Sequence, residues 1–99
     1  MKELIGSLAE SRAGHDKGRI YVVTGAEGRY LLLADGSIRS AASPKKKNIR
    51  HLLILGHRDE ELAAALESGA GVTDEQVKRV IKLYKAECRS ILEVTDVQE

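Results

Sequence analysis

Between Gly6 and Leu55 the apolar residues come in short bursts, separated by glycine-rich or polar turns at intervals too short for helices of ordinary length. This half reads as β, with strands predicted over Ser7 to Arg12, Arg19 to Thr24, Arg29 to Ala34, Ser37 to Ser40 and Asn48 to Leu53. Asp35-Gly36 reads as a two-residue hairpin turn, because type I′ geometry needs a positive φ that Asp tolerates and Gly adopts freely. Gly25-Ala26-Glu27-Gly28 supplies a looser hairpin before it. The runs Ile20-Tyr21-Val22-Val23 and Leu31-Leu32-Leu33 are apolar on both faces, which predicts strands covered on both sides. Five short strands in a meander close most economically as a small barrel, since closure removes exposed edges.

After Gly56 the period becomes helical. Asp59 is a candidate N-cap for a helix over Glu60 to Ser68, with Leu62 and Leu66 four residues apart and Gly69 placed to end it. Thr73-Asp74-Glu75-Gln76 is a capping box, and Val77, Val80, Ile81, Tyr84 and Cys88 follow it on one helical stripe, predicting a second helix over Asp74 to Cys88. Lys78, Lys82, Lys85 and Arg89 are expected on its opposite face, and the chain from about Glu93 onward has no strong pattern. The stripe needs a surface to pack on, and the barrel or the first helix is the nearest candidate.

A chain of 99 residues leaves little room for a second independent core. The expected organisation is a barrel over residues 1–55 followed by a helical extension over 56–99. With no Trp or Phe and three Tyr, the core must be built from Ile, Leu, Val and Ala. No apolar run reaches the length of a signal peptide or a membrane span, and the single cysteine, Cys88, fits a reducing compartment, so a cytoplasmic location is expected.

The net charge of +1 conceals an asymmetry. Residues 1–56 carry 10 Lys and Arg against 5 Asp and Glu; residues 57–99 carry 6 against 10. The basic half is where an anionic partner would dock. Lys45-Lys46-Lys47, with Arg39 before it and Arg50 after it, is the strongest electrostatic feature, and clustered cations gain affinity for a phosphate backbone through counterion release. Taken alone, such a run is more often a solvated loop. Gly14-His15-Asp16-Lys17-Gly18-Arg19 is the densest polar turn; its spacing is not that of a P-loop, and it reads either as simple turn geometry or as amides and cations that meet phosphates. His15, His51 and His57 lack the paired spacing of a metal site, Cys88 sits where a small buried hydrophobe belongs, and no catalytic constellation is legible. Neither a metal, a cofactor nor an enzymatic activity is expected.

Ala13 to Val23, followed by Tyr30 to Gly36, resembles the KOW motif, centred on Gly18. Asp35-Gly36-Ser37-Ile38-Arg39 and Pro44-Lys45-Lys46-Lys47-Asn48-Ile49-Arg50-His51-Leu52 resemble the bacterial KOW-domain proteins related to the fourteen-e type large-subunit ribosomal protein. The similarity runs from about Ile5 to Leu53, and the capped tail helix resembles the acidic extension of bacterial members. His15 departs from the arginine common in the family, and Glu10 from the usual apolar residue. The resemblance implies an SH3-like barrel of about five strands with two short helices behind it, and binding of structured RNA, ribosomal RNA or the ribosome itself. The residues expected to contact RNA phosphates are Arg12, Lys17, Arg19, Arg39, Lys45, Lys46, Lys47 and Arg50, with Asn48 on a sugar or base edge. With few aromatics, backbone and shape recognition is expected ahead of base stacking. The rival expectation is an SH3-like protein-interaction module, with the acidic helical tail as a surface for a protein partner.

Overall fold

The computed structural model describes the backbone of residues 1–98 and the side chains of residues 1–88. Five antiparallel strands, β1 (Ser7–Ser11), β2 (Ile20–Glu27), β3 (Tyr30–Ala34), β4 (Lys45–Asn48) and β5 (Leu52–Arg58), form one sheet in the order β4-β3-β2-β1-β5. Two helices follow, α1 (Glu60–Glu67) and α2 (Asp74–Gln98), and short 3-10 turns occupy Lys2–Leu4 and Ile49–His51. No helix among the described residues is long and apolar enough to cross a membrane.

The doubly apolar runs are covered on both faces, as their composition requires. Leu8, Val22 and Ala34 point to one side, where Leu62 of α1 and Val77, Val80 and Ile81 of α2 close over them. Ala9, Tyr21, Val23, Leu31 and Leu33 point to the other, against Met1, Leu4, Ile49, Leu52 and Ile54. The division at residue 55 therefore does not separate two cores: β5 runs on to Arg58, and both helices share the first cluster with the sheet. Arg58 ties the junction, donating to the Ile5 carbonyl at 3.2 Å and pairing with Glu60 and Glu67.

Both helices start where their caps predict. The Asp59 carboxylate accepts from the Leu62 amide at 2.8 Å, and Thr73 and Gln76 exchange the reciprocal bonds of a capping box at 2.8 and 3.2 Å. The second helix is not short: it spans 25 residues and passes Cys88, the predicted end. Its stripe is buried at Val77, Val80 and Ile81 and half-buried at Tyr84. Ile81 is 7% exposed, at the margin of the core, so Ile81→Ala should cost about 2 kcal/mol, the low end for deletion of a core isoleucine. Urea denaturation of the two proteins measures it; a loss below about 0.5 kcal/mol would contradict this packing.

Four expectations about the sheet are corrected. Ser37 to Ser40 is not a strand, and Asp35-Gly36 does not close a two-residue hairpin. Asp35 instead organises an irregular loop, its Oδ1 accepting from the Ser37 and Arg39 amides at 2.9 and 2.8 Å. Gly36, at φ +78°, lies against α2, where an added Cβ would fall 2.5 Å from the Asp74 carbonyl oxygen. The glycine serves helix contact, not a hairpin. The fourth strand is the lysine run itself, Lys45–Asn48, paired with β3 through Leu31↔Lys47 and Leu33↔Lys45. Asn48 to Leu53 is likewise not one strand: the Asn48 side chain caps the 3-10 turn by accepting from the Arg50 amide at 2.9 Å, and pairing resumes at Leu52. The hairpin between β2 and β3 is tighter than expected, turning at Gly28-Arg29 between the paired Glu27 and Tyr30.

Candidate functional site

The loop between β1 and β2 is organised by Asp16. Its Oδ1 accepts from the Ser11 hydroxyl and the Lys47 ammonium, both at 2.8 Å; its Oδ2 accepts from the Tyr21 hydroxyl at 2.6 Å and from Lys45 at 2.9 Å. Lys47 also donates to the Ala13 carbonyl at 2.8 Å. Burial by itself would raise the Asp16 carboxyl, but the hydrogen bonds from Lys47, Tyr21, Lys45 and Ser11 outweigh it and hold the group far below the ordinary carboxylate range. Burial, then the Asp16 hydrogen bond and charge, push the Tyr21 phenol up. Strand alternation explains the lysines: Lys45 and Lys47 share one face of β4 and reach Asp16, while Lys46 points away.

These bonds engage part of the expected phosphate-binding set within the protein itself. Lys45 and Lys47 are committed to Asp16, with side chains 29% and 10% exposed. Lys46 pairs with Glu27 at 2.9 Å and lies 5.4 Å from the Tyr30 ring centroid. The run is neither a loop nor a free patch. Three of the turn amides are also occupied: Lys17, Gly18 and Arg19 donate to the carbonyls of Gly14, Ser11 and Asp16. Of the two readings of this turn, simple turn geometry accounts for these three amides, and the cationic side chains of the turn remain available to an anion.

Those side chains meet at a cleft of about 890 Å³ between the β1–β2 loop, the Asp35–Ser37 segment and α2. Lys17, Arg19 and His15 line it from the loop, and Lys78, Lys82 and Lys85 from the helix. Its two carboxylates do not offset this charge freely. Asp16 is engaged as above, and Asp35 pairs with Arg19 at 3.1 Å. Burial would raise the Asp35 carboxyl, but the Arg39 and Ser37 amides and the Arg19 guanidinium draw it below its ordinary value. Among the described residues, Lys17, Lys78, Lys82 and Lys85 have no carboxylate within 4.0 Å. Ile20, Ile81 and Ala86 give the cleft an apolar floor.

Of the eight residues singled out in the sequence, the cleft thus gathers Lys17 and Arg19. Arg39 stands exposed two residues beyond Ser37. Arg12 pairs with Glu10 at 3.1 Å and Arg50 is exposed on the 3-10 turn; neither lines the cleft. Lys78, Lys82 and Lys85 are additions. A signal for them was available, because at about 100° per residue they lie roughly 80° to 140° round the helix from Val77, on the flank of the buried stripe and not opposite it. Arg89, the fourth member of that row, lies beyond the described side chains. The histidines are dispersed: His51 is exposed, and His57 packs edge-on against Tyr84 at 5.6 Å. No group of three His, Cys, Asp or Glu side chains that could hold a metal ion occurs among the described residues.

No protein-family model matches this chain, and a search of the curated proteins finds no match either.

Proposed function

We propose that this protein binds structured RNA, in the first instance ribosomal RNA, through backbone phosphates held in the cleft between the β1–β2 loop and α2. The observation that carries the reading is the convergence of Lys17, Lys78, Lys82 and Lys85 on one cleft whose carboxylates are already engaged. Like charges held together without partners repel, and a polyanion relieves that repulsion while releasing its condensed counterions. In this reading the protein is a binding module of translation acting in the cytoplasm, not an enzyme.

The same reading takes the sheet as a small SH3-like barrel of the KOW type. Its support is a matter of reach. β4 and β5 stand at opposite edges of a five-stranded sheet, about 19 Å apart if the sheet were flat. The three residues Ile49–His51 join them as a 3-10 turn that advances only about 6 Å. The edges must therefore curl toward one another, and the 3-10 segment is tied at both ends: the Ile49 amide donates to the Arg29 carbonyl beside β3, and the His51 carbonyl accepts from the Arg12 amide beside β1.

Fluorescence anisotropy with a labelled ribosomal RNA hairpin, at several salt concentrations, tests the function. The expected result is affinity that falls steeply with salt, by about 0.7 to 0.9 log units per log unit of salt for each engaged cation. Weak binding without that dependence would overturn the reading and leave a protein-interaction module as the better account.

A further inference from the structure

Ile38 is 69% exposed, the most exposed large apolar side chain among those described. It sits between Ser37, which lines the cationic cleft, and the exposed Arg39. Its position is held firmly. The Asp35 and Gly36 amides both donate to the Arg39 carbonyl, at 2.9 and 3.0 Å, the Asp35 carboxylate accepts from the Ser37 and Arg39 amides, and Gly36 is seated against the first turn of α2. The Ala41 amide adds a bond to the Asp74 carboxylate at 2.7 Å. A loop tied at this many points presents its tip without further ordering cost on binding.

The cleft that Ser37 lines has a volume of about 890 Å³, that of a small-ligand site with room for a few nucleotides. Lys78, Lys82 and Lys85 form a single rail, spaced along the helix axis by about 6 and 4.5 Å. The lining includes the apolar side chains of Ile20, Ile81 and Ala86, and the exposed Ile38 directly follows Ser37 of that lining in the chain. A duplex offers its stacked bases to neither surface, whereas an unpaired segment can turn its phosphates to the lysines and its base faces to the isoleucines.

We infer that the feature recognised is an unpaired RNA segment, a loop or bulge, with its phosphates along Lys78, Lys82 and Lys85 and a splayed base against Ile38. The inference rests on the RNA-binding reading of the cleft. It separates two kinds of contact that respond differently to mutation: Ile38 carries no charge, so its loss should change affinity without changing the salt slope.

The test uses the full chain, a short unstructured RNA and a blunt RNA duplex of the same sequence, with anisotropy titrations at several salt concentrations. Wild type should prefer the single strand by about ten-fold. Ile38→Ala should weaken single-strand binding roughly five-fold with an unaltered slope and leave duplex binding unchanged, and Ile38→Val should retain most of the affinity. Because Ile38 is exposed, unchanged thermal unfolding of the variants is expected and serves as the folding control. Equal affinity for duplex and single strand, or single-strand affinity indifferent to Ile38→Ala, would overturn the inference while leaving RNA binding intact. Failure of every RNA to bind with salt dependence would instead remove the functional reading beneath it.

Discussion

Replacing Asp16 with asparagine is expected to cost about 3 kcal/mol of folding stability, a large part of what a domain of this size possesses. The carboxylate accepts from four side chains, two of them ammonium groups, and its own side chain is only 11% exposed. Asparagine keeps one acceptor and turns a donor toward either Lys45 and Tyr21 or Lys47 and Ser11. At least one lysine is then left part-buried with its charge uncompensated, the costly outcome when one member of a buried pair is removed. No buried side-chain nitrogen or oxygen among the described residues lacks a partner, so the substitution breaks a network that is fully satisfied. The pH dependence follows from the depressed carboxyl. An unfolded aspartate titrates near 3.9, the folded one far lower, so the contribution is complete above about pH 5 and is lost progressively as pH falls below about 4, where only the unfolded chain takes up the proton. Urea denaturation at neutral pH and at steps down to pH 2 should show the gap between wild type and Asp16→Asn closing as the pH falls. A gap that stays constant across that range would contradict the account of the cluster.

The second large effect is on binding. With Lys78, Lys82 and Lys85 all replaced by glutamine, the slope of log affinity against log salt should flatten by about 2 units. Such a change corresponds to roughly fifty-fold weaker binding near 0.15 M salt, converging on wild type near 1 M. The fold should be little affected, because all three lysines are exposed and have no ion-pair partner among the described residues. Lys46→Gln serves as the contrast. Lys46 is paired with Glu27 and lies outside the cleft, so its loss should change the slope by less than about 0.5 unit. Simultaneous replacement of Lys45, Lys46 and Lys47 is not the clean test that a solvated run would permit. It would strip Asp16 of two cations and lower stability along with any affinity. Anisotropy titrations of the three proteins decide the matter; a Lys46→Gln effect as large as that of the helix triple would move the interface to β4.

What was legible in the sequence were features with local signatures. The caps at Asp59 and Thr73 act between neighbours, and the stripe Val77, Val80, Ile81 is a simple period, so both helices start where expected. The doubly apolar runs in β2 and β3 announced a sheet covered on both faces, and it is. What escaped was set by partners far along the chain. Lys45 and Lys47 read as surface charge because nothing near them in sequence shows that Asp16, 29 and 31 residues away, lies between them in space. Asp35-Gly36 carries the composition of a hairpin turn, yet its glycine answers to the Asp74 carbonyl of α2. The charge count divided the chain into a basic β half and an acidic helical half. Fold topology crosses that division, because α2 turns its lysine flank to the β1–β2 loop and builds the cationic cleft from both halves. The helix, read as an acidic surface for a protein partner, supplies three of the four cleft lysines that have no carboxylate within 4.0 Å among the described residues.

Entry of an RNA backbone into this cleft is tested most directly by amide chemical-shift mapping. On titration of the labelled chain with a ribosomal RNA hairpin, the account predicts progressive shifts at Lys17 to Ile20, at Ser37 to Arg39 and along Lys78 to Ala86, fading as salt is raised. Shifts confined to β4 and the Ile49–His51 turn, with those three segments unmoved at saturating RNA, would contradict it.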